Sequence, residues 1–79
     1  MNQETVTIRA EWDAEATVWV ITSEQVPGLV VEADTYDEIE RKALLVIEDL
    51  AEFEPGIAAL LGRPVDIVAV RHATVRKVA

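Results

Sequence analysis

The stretch SEQVPGLVVEADTYDEIERKA (residues 23–43) contains a turn, a short strand and the start of a helix. Proline at 27 fixes φ and glycine at 28 tolerates a positive φ, so this pair predicts a type II turn. The apolar run at residues 29–33 predicts a short strand. A threonine at 35 and a glutamate at 38 have the spacing of a helix capping box, with the threonine as N-cap. The residues that we predict to shape the chain, rather than to react, are Pro27, Gly28, Asp34, Thr35 and Glu38.

Two strands are predicted before this stretch. Residues 5–12 (TVTIRAEW) alternate between apolar and polar side chains, as does a strand with one buried face. Residues 17–22 (TVWVIT) are β-branched or aromatic, which favours a strand that is apolar on both faces. Asp13 is a common first residue of a turn, so the short connection predicts a β-hairpin.

One long helix and a closing strand are predicted after it. The helix covers residues 34–54, and its buried stripe is expected to end at Phe53. The stripe residues recur at helical spacing: Ile39, Ala43, Val46, Ile47 and Leu50. Pro55 and Gly56 end the helix. Residues 57–62 predict a short helical turn, and the strand that follows is apolar on both faces around residues 65–70.

This order predicts a single α+β domain over residues 1–79, a βββαβ arrangement with a three-stranded antiparallel meander, one helix and a C-terminal strand. One helix covers one face of a sheet, so some apolar side chains remain outside. We expect self-association through the open face or the last strand's edge. The alternative is a monomer in which a curled sheet and residues 57–62 cover the apolar patch. The expected interface residues are Trp19, Ile21, Val68 and Val70. The strand register, and hence the face that meets the helix, stays open.

Charge narrows the class of partner. The chain of 79 residues has 15 acidic and 7 basic side chains and a net charge of −8, which favours basic partners and disfavours direct contact with nucleic acid. Four of the bases follow residue 62: Arg63, Arg71, Arg76 and Lys77. This basic end predicts either a solvated tail or a strand that meets the acidic face of a second subunit. The absence of cysteine and of a long apolar run predicts a cytoplasmic protein without a membrane segment.

Catalytic chemistry is not indicated. His72 is the only histidine, and no residue near it in sequence has metal-ligand spacing. The acids Asp34, Asp37 and Glu38 are interpreted as partners of the helix N-terminus, with a divalent cation site as the less favoured alternative. We therefore predict no catalytic, cofactor or metal residues and no enzymatic activity.

A family resemblance emerges over WDAEATVWVITSEQVPGLVVEADTYDEI (residues 12–39). It resembles the HicB-like antitoxin domains, and most closely a small uncharacterised bacterial family of that kind, over residues 4–52. The resemblance lies in the aspartate-turn hairpin, the Pro-Gly-hydrophobic turn and the acid-Thr-x-x-Glu helix start. These are Trp12 and Asp13, residues 18–21, Pro27 to Leu29, and Asp34 and Thr35 with Glu38.

The resemblance implies half of a ribonuclease-H-like fold and a protein-binding role. HicB domains neutralise HicA, a small toxin that cleaves messenger RNA, and they have a separate C-terminal DNA-binding segment. We expect this protein to act without such a segment. We expect a non-catalytic antitoxin-like module that forms a homodimer or larger oligomer and binds a small basic HicA-like toxin. The alternative is a homo-oligomeric domain that senses a small molecule or a metal in the crevice between sheet and helix.

Overall fold

The computed structural model describes residues 4–78 and shows a mixed four-stranded sheet with one main helix on one face. The elements are β1 (Val6–Asp13), β2 (Val18–Thr22), β3 (Val31–Ala33), a 3₁₀ turn (Tyr36–Glu38), α1 (Ile39–Ala51), α2 (Pro55–Ala58) and β4 (Val65–Val70). The sheet order is β3-β2-β1-β4. β4 runs parallel to β1, and the other neighbours are antiparallel. The predicted α+β class, with its meander, helix and closing strand, is confirmed; residues 1–3 and 79 of the predicted domain lie outside the described range.

Both predicted turns have the expected hydrogen bonds. The carboxylate of Asp13 accepts the backbone N–H groups of Glu15 at 3.0 Å and Ala16 at 3.1 Å, which closes the β1–β2 hairpin. At the second turn, the N–H of Leu29 donates to the carbonyl of Val26 at 3.1 Å, and Gly28 has φ of +91°. These are features of a type II turn. Val26 and Leu29 are buried, so the turn is anchored in the core on both sides.

The start of the helix differs from the predicted capping box. The Thr35 side chain makes no hydrogen bond to the backbone, and its hydroxyl donates instead to the Glu38 carboxylate at 3.3 Å. The chain enters α1 through the 3₁₀ turn, in which the N–H of Glu38 donates to the carbonyl of Thr35 at 3.2 Å. That tight backbone bond already satisfies the amide that the threonine side chain was expected to cap.

The core lies between α1 and one face of the sheet. Its sheet residues include Ile8 and Ile21, and α1 lies mainly against β3 and β2. The helix contributes Ile39, Ala43 and Ile47. The prediction that Phe53 closes this stripe is wrong, because α1 ends at Ala51 and Phe53 is 79% exposed. The short helical turn begins at Pro55, earlier than predicted, because proline fits the first position of a helix.

A glutamine fastens the loop after β2 to β1. The Gln25 side chain donates to the carbonyl of Thr5 at 3.0 Å and accepts the N–H of Thr7 at 3.2 Å. The Ser23 hydroxyl donates to the carbonyl of Thr7 at 2.7 Å. These bonds satisfy the backbone of β1 where β2 no longer lies beside it.

We expect Gly28→Ala to destabilise the protein by at least about 1 kcal/mol, because a Cβ at a strongly positive φ is strained. Its Cβ would meet no atom within 4 Å, so the effect would come from the backbone alone. Gly56→Ala is the matched control, since its Cβ also meets open space but its φ lies outside the positive region. Urea unfolding followed by circular dichroism measures both, and equal midpoints would contradict the assignment.

Candidate functional site

The strand register separates the residues of the predicted interface. Trp19 and Ile21 lie on the face that meets α1; Trp19 is 9% exposed and Ile21 is fully buried. Val68 and Val70 lie on the opposite face, at the edge strand β4, where Val68 is 43% exposed. The prediction that these four residues share one surface is therefore wrong. Trp19 and Ile21 do not belong to it, because they pair with Trp12 and Ala10 of β1, whose side chains point to the helix side.

Trp19 belongs to an aromatic cluster at the hairpin end of the core. Its ring meets that of Trp12 edge-on with centroids 5.4 Å apart, and that of Tyr36 at 6.1 Å. The guanidinium carbon of Arg71 lies 4.8 Å from the centroid of the Trp12 ring, within the range of a cation–π contact. This contact attaches the first residue after β4 to the hairpin.

The face of the sheet that points away from α1 is the candidate site, and we call it the open face. Its side chains are Thr7, Arg9, Glu11, Asp13, Val18, Val20, Thr22, Glu32, Asp66, Val68 and Val70. Apolar and charged side chains alternate across it: Val20 lies between Glu32 and Glu11, and Arg9 lies between Thr22 and Val68. No described element of the chain covers this face.

Two open grooves on this face share Arg9 and Thr22. One, of about 550 Å³, also includes Glu11 and Val20, and the other, of about 420 Å³, includes Gln25 and Val68. Within residues 4–78, the ion pairs at 4.0 Å or less join Glu38 to Arg41 and Lys42. The Arg9 guanidinium therefore has no carboxylate partner among the described residues. It is available for two-pronged binding of a carboxylate or another anion.

The surroundings of Arg9 are acidic. Glu11, Glu32 and Asp66 share the open face, and the whole chain has a net charge of −8. No polar or charged residue of the described chain is buried, so these carboxylates face solvent. An acidic surface with one central cation attracts basic molecules at long range and orients them at short range.

The carboxylates at the start of the helix do not converge. Glu38 lies 3.3 Å from Arg41 and 4.0 Å from Lys42, so its charge is paired on the helix surface. Across residues 4–78, no group of three or more histidine, aspartate or glutamate side chains is placed to hold a metal ion. The same part of the chain has no helix with the length and apolar character of a membrane span.

Arg9, Thr22 and Gln25 were not among the predicted site residues. The alternation of β1 does place Arg9 on the wet face, and this is the one signal available from the sequence. Its position beside Val68 depends on the parallel pairing of β1 with β4, which joins the two ends of the chain.

Comparison with known proteins gives the family. A family described as a domain of unknown function (DUF1902) matches residues 5–76. The chain belongs to this family. This DUF1902 domain is also similar to the crystal structure of hypothetical protein TTHA1013 from the extremely thermophilic bacterium Thermus thermophilus. That likeness has 35% identity and a TM-score of 0.66, and it covers 94% of this chain and 100% of that chain. No curated protein matches the sequence. The resemblance to HicB-like antitoxins stays a prediction.

We expect Trp19→Ala and Val20→Ala to lower the free energy of unfolding by very different amounts, although the two residues are neighbours on β2 of this DUF1902 domain. Removing the buried indole is expected to cost about 3–5 kcal/mol, enough to unfold much of a small domain. Val20 lies on the open face, and its truncation is expected to cost about 1 kcal/mol or less. Urea unfolding measures both, and similar losses would contradict the assigned register.

Proposed function

We propose that this DUF1902 domain is a non-catalytic protein-binding module of the HicB antitoxin type, which binds a small basic protein in the bacterial cytoplasm. The observation that supports it is the uncovered open face, with four valines among four carboxylates. The family resemblance of the hairpin, turn and helix start favours the same role.

The open face can contribute both an apolar term and an electrostatic term to the free energy of binding. Valine side chains gain roughly 25 cal/mol for each Å² of apolar surface that a partner removes from water. Glu11, Glu32 and Asp66 attract a basic partner, and the net charge of −8 accelerates the encounter. Arg9 is a cation that lies among these carboxylates. It fixes the orientation of the partner by binding one of the partner's acidic groups.

A toxin that cleaves RNA is a suitable partner on physical grounds. An RNA-binding surface has basic side chains that contact phosphates. The acidic open face presents carboxylates with the same sign of charge as those phosphates, so it competes with RNA for that surface. Neutralisation by occlusion then requires no chemistry from this chain.

A second candidate function is recognition of a small anionic molecule at Arg9. Both grooves of the open face share this guanidinium and the Thr22 hydroxyl, a pair that suits a carboxylate or phosphate group. This function is of the small-molecule-sensing class that the sequence left as the alternative, but its site lies on the open face and not between sheet and helix.

We expect the tagged protein, purified from its native cells, to bring down a small basic protein in equimolar amount. Val20→Lys is expected to lower that recovery about tenfold or more, since it places a cation against a basic partner. The new lysine lies between Glu11 and Glu32, so the sheet itself tolerates it.

Phe53→Lys is the matched control, because it makes the same change of charge at an exposed apolar residue outside the sheet. It is expected to keep full recovery. A partner that the Val20 variant retains would contradict the open-face assignment. Absence of a protein partner, together with a rise in melting temperature on adding an anion that Arg9→Gln abolishes, would favour the second function.

A further inference from the structure

The chain continues past β4 as a segment without helix or strand, residues 71–78, which we call the tail. Every residue of the tail is exposed, and Val75 and Val78 are 94% and 89% exposed. The molecule is 56 Å long with a radius of gyration of 14.9 Å, whereas a compact chain of this length would have about 12 Å. The family match runs to residue 76, so most of the tail belongs to the shared domain.

β4 has a free edge that suits another strand. It is the last strand of the sheet, next to β1 alone. The N–H of Val6 donates to the carbonyl of Pro64 at 2.9 Å. In a parallel ladder alternate residues bond to the neighbour, so the backbone groups of Val65, Ile67 and Ala69 point to the free edge. Unpaired edge groups are a template for pairing with another chain.

We propose that the tail of a second copy pairs antiparallel with β4, and that the exchange is reciprocal about a two-fold axis near residue 71. Residues 73–77 of each copy then lie beside residues 65–69 of the other. Each sheet gains a fifth strand, and the exposed valine at 75 becomes buried.

The side chains favour one register. When Ala73 lies opposite Ala69, Val75 lies opposite Ile67 and Arg76 opposite Asp66. This register places Ala73 and Val75 opposite apolar side chains on the helix side and Arg76 opposite a carboxylate on the open side. A shift of two residues either way would place Thr74 or Val78 opposite the aspartate and lose the ion pair.

The clefts beside β4 suit a basic, apolar strand. Ile67 lines a cleft of about 200 Å³ with Ile39 and Glu40. Val65 lines a cleft of about 120 Å³ with Leu44 and Glu48, among others. In the proposed register Val75 of the second copy enters the first cleft. Lys77 reaches the second cleft, whose carboxylate complements it.

The start of the tail is already positioned for this exchange. Arg71 is held over the Trp12 ring of its own chain, so the tail begins beside the hairpin end of the sheet. The two-fold axis is perpendicular to the sheet, and both open faces therefore point the same way. The pairing does not depend on whether the open face binds a protein partner.

Charge reversal at the proposed ion pair tests the exchange. Asp66 and Arg76 of one chain are ten residues apart, about 33 Å along an extended strand, so they cannot pair within that chain. Asp66→Arg and Arg76→Asp are each expected to raise the Kd of the dimer about tenfold, measured by sedimentation. The double variant is expected to return the Kd to within about threefold of the natural protein.

Glu15→Arg, at the exposed hairpin turn, controls for net charge and is expected to leave the Kd unchanged. A monomer at all concentrations would overturn the proposal. So would a dimer in which the reversed pair shows no restoration.

A second measurement does not depend on the stability of those variants. The chain has no cysteine, so an introduced pair can be studied alone. When the Ala69→Cys and Ala73→Cys proteins are mixed and oxidised, a disulfide between them reports that residue 69 of one copy contacts residue 73 of the other. The proposed pair has Cα atoms about 5.5 Å apart, within the range of a disulfide. We expect a mixed disulfide dimer in high yield, and a low yield when Ala59→Cys replaces either partner. Equal yields would overturn the register.

Discussion

The structure depends on a mismatch between one amphipathic helix and a sheet in which two strands, β2 and β4, are apolar on both sides. α1 buries Ile39, Ala43 and Ile47 against β3 and β2, together with the inner face of β1. Because side chains alternate along a strand, the contact with the helix also determines which residues point away from it. A residue next to one that points at the helix must point at solvent or at another molecule. Val20 is on the open face because Trp19 is not, and Val68 is there because Ile67 is not.

The features that follow from local chemistry were predictable from the sequence. Asp13 accepts two amides in its own turn, and Gly28 adopts the positive φ that its turn requires. The helical spacing of Ile39, Ala43 and Ile47 likewise found the buried stripe. The prediction from local sequence was wrong where a backbone carbonyl and a side-chain hydroxyl compete for the same hydrogen bond. The amide of Glu38 is satisfied by the Thr35 carbonyl rather than by its hydroxyl.

What the sequence left open depends on contacts between distant residues. The assignment of Trp19 to the core follows from its register with Trp12 and Ala33, and a slip of one residue would have exchanged the two faces. The bonds of Gln25 to β1 have no local pattern at all. Of the candidate surface, the sequence supplied Val68 and Val70, but the position of Arg9 among them needed the sheet order.

The parallel pairing of β1 with β4 also determines when the sheet can be completed. Val6 pairs with Val65, so 59 positions separate two residues that must meet. Closing so long a loop is entropically costly, and contacts of this kind form late in folding. During synthesis β1 is made before β4, and the edge of β1 that pairs with β4 stays unpaired until β4 has been made. The chain is therefore most exposed to pairing with its neighbours while it is being made, and a polysome would hold many such unfinished edges close together.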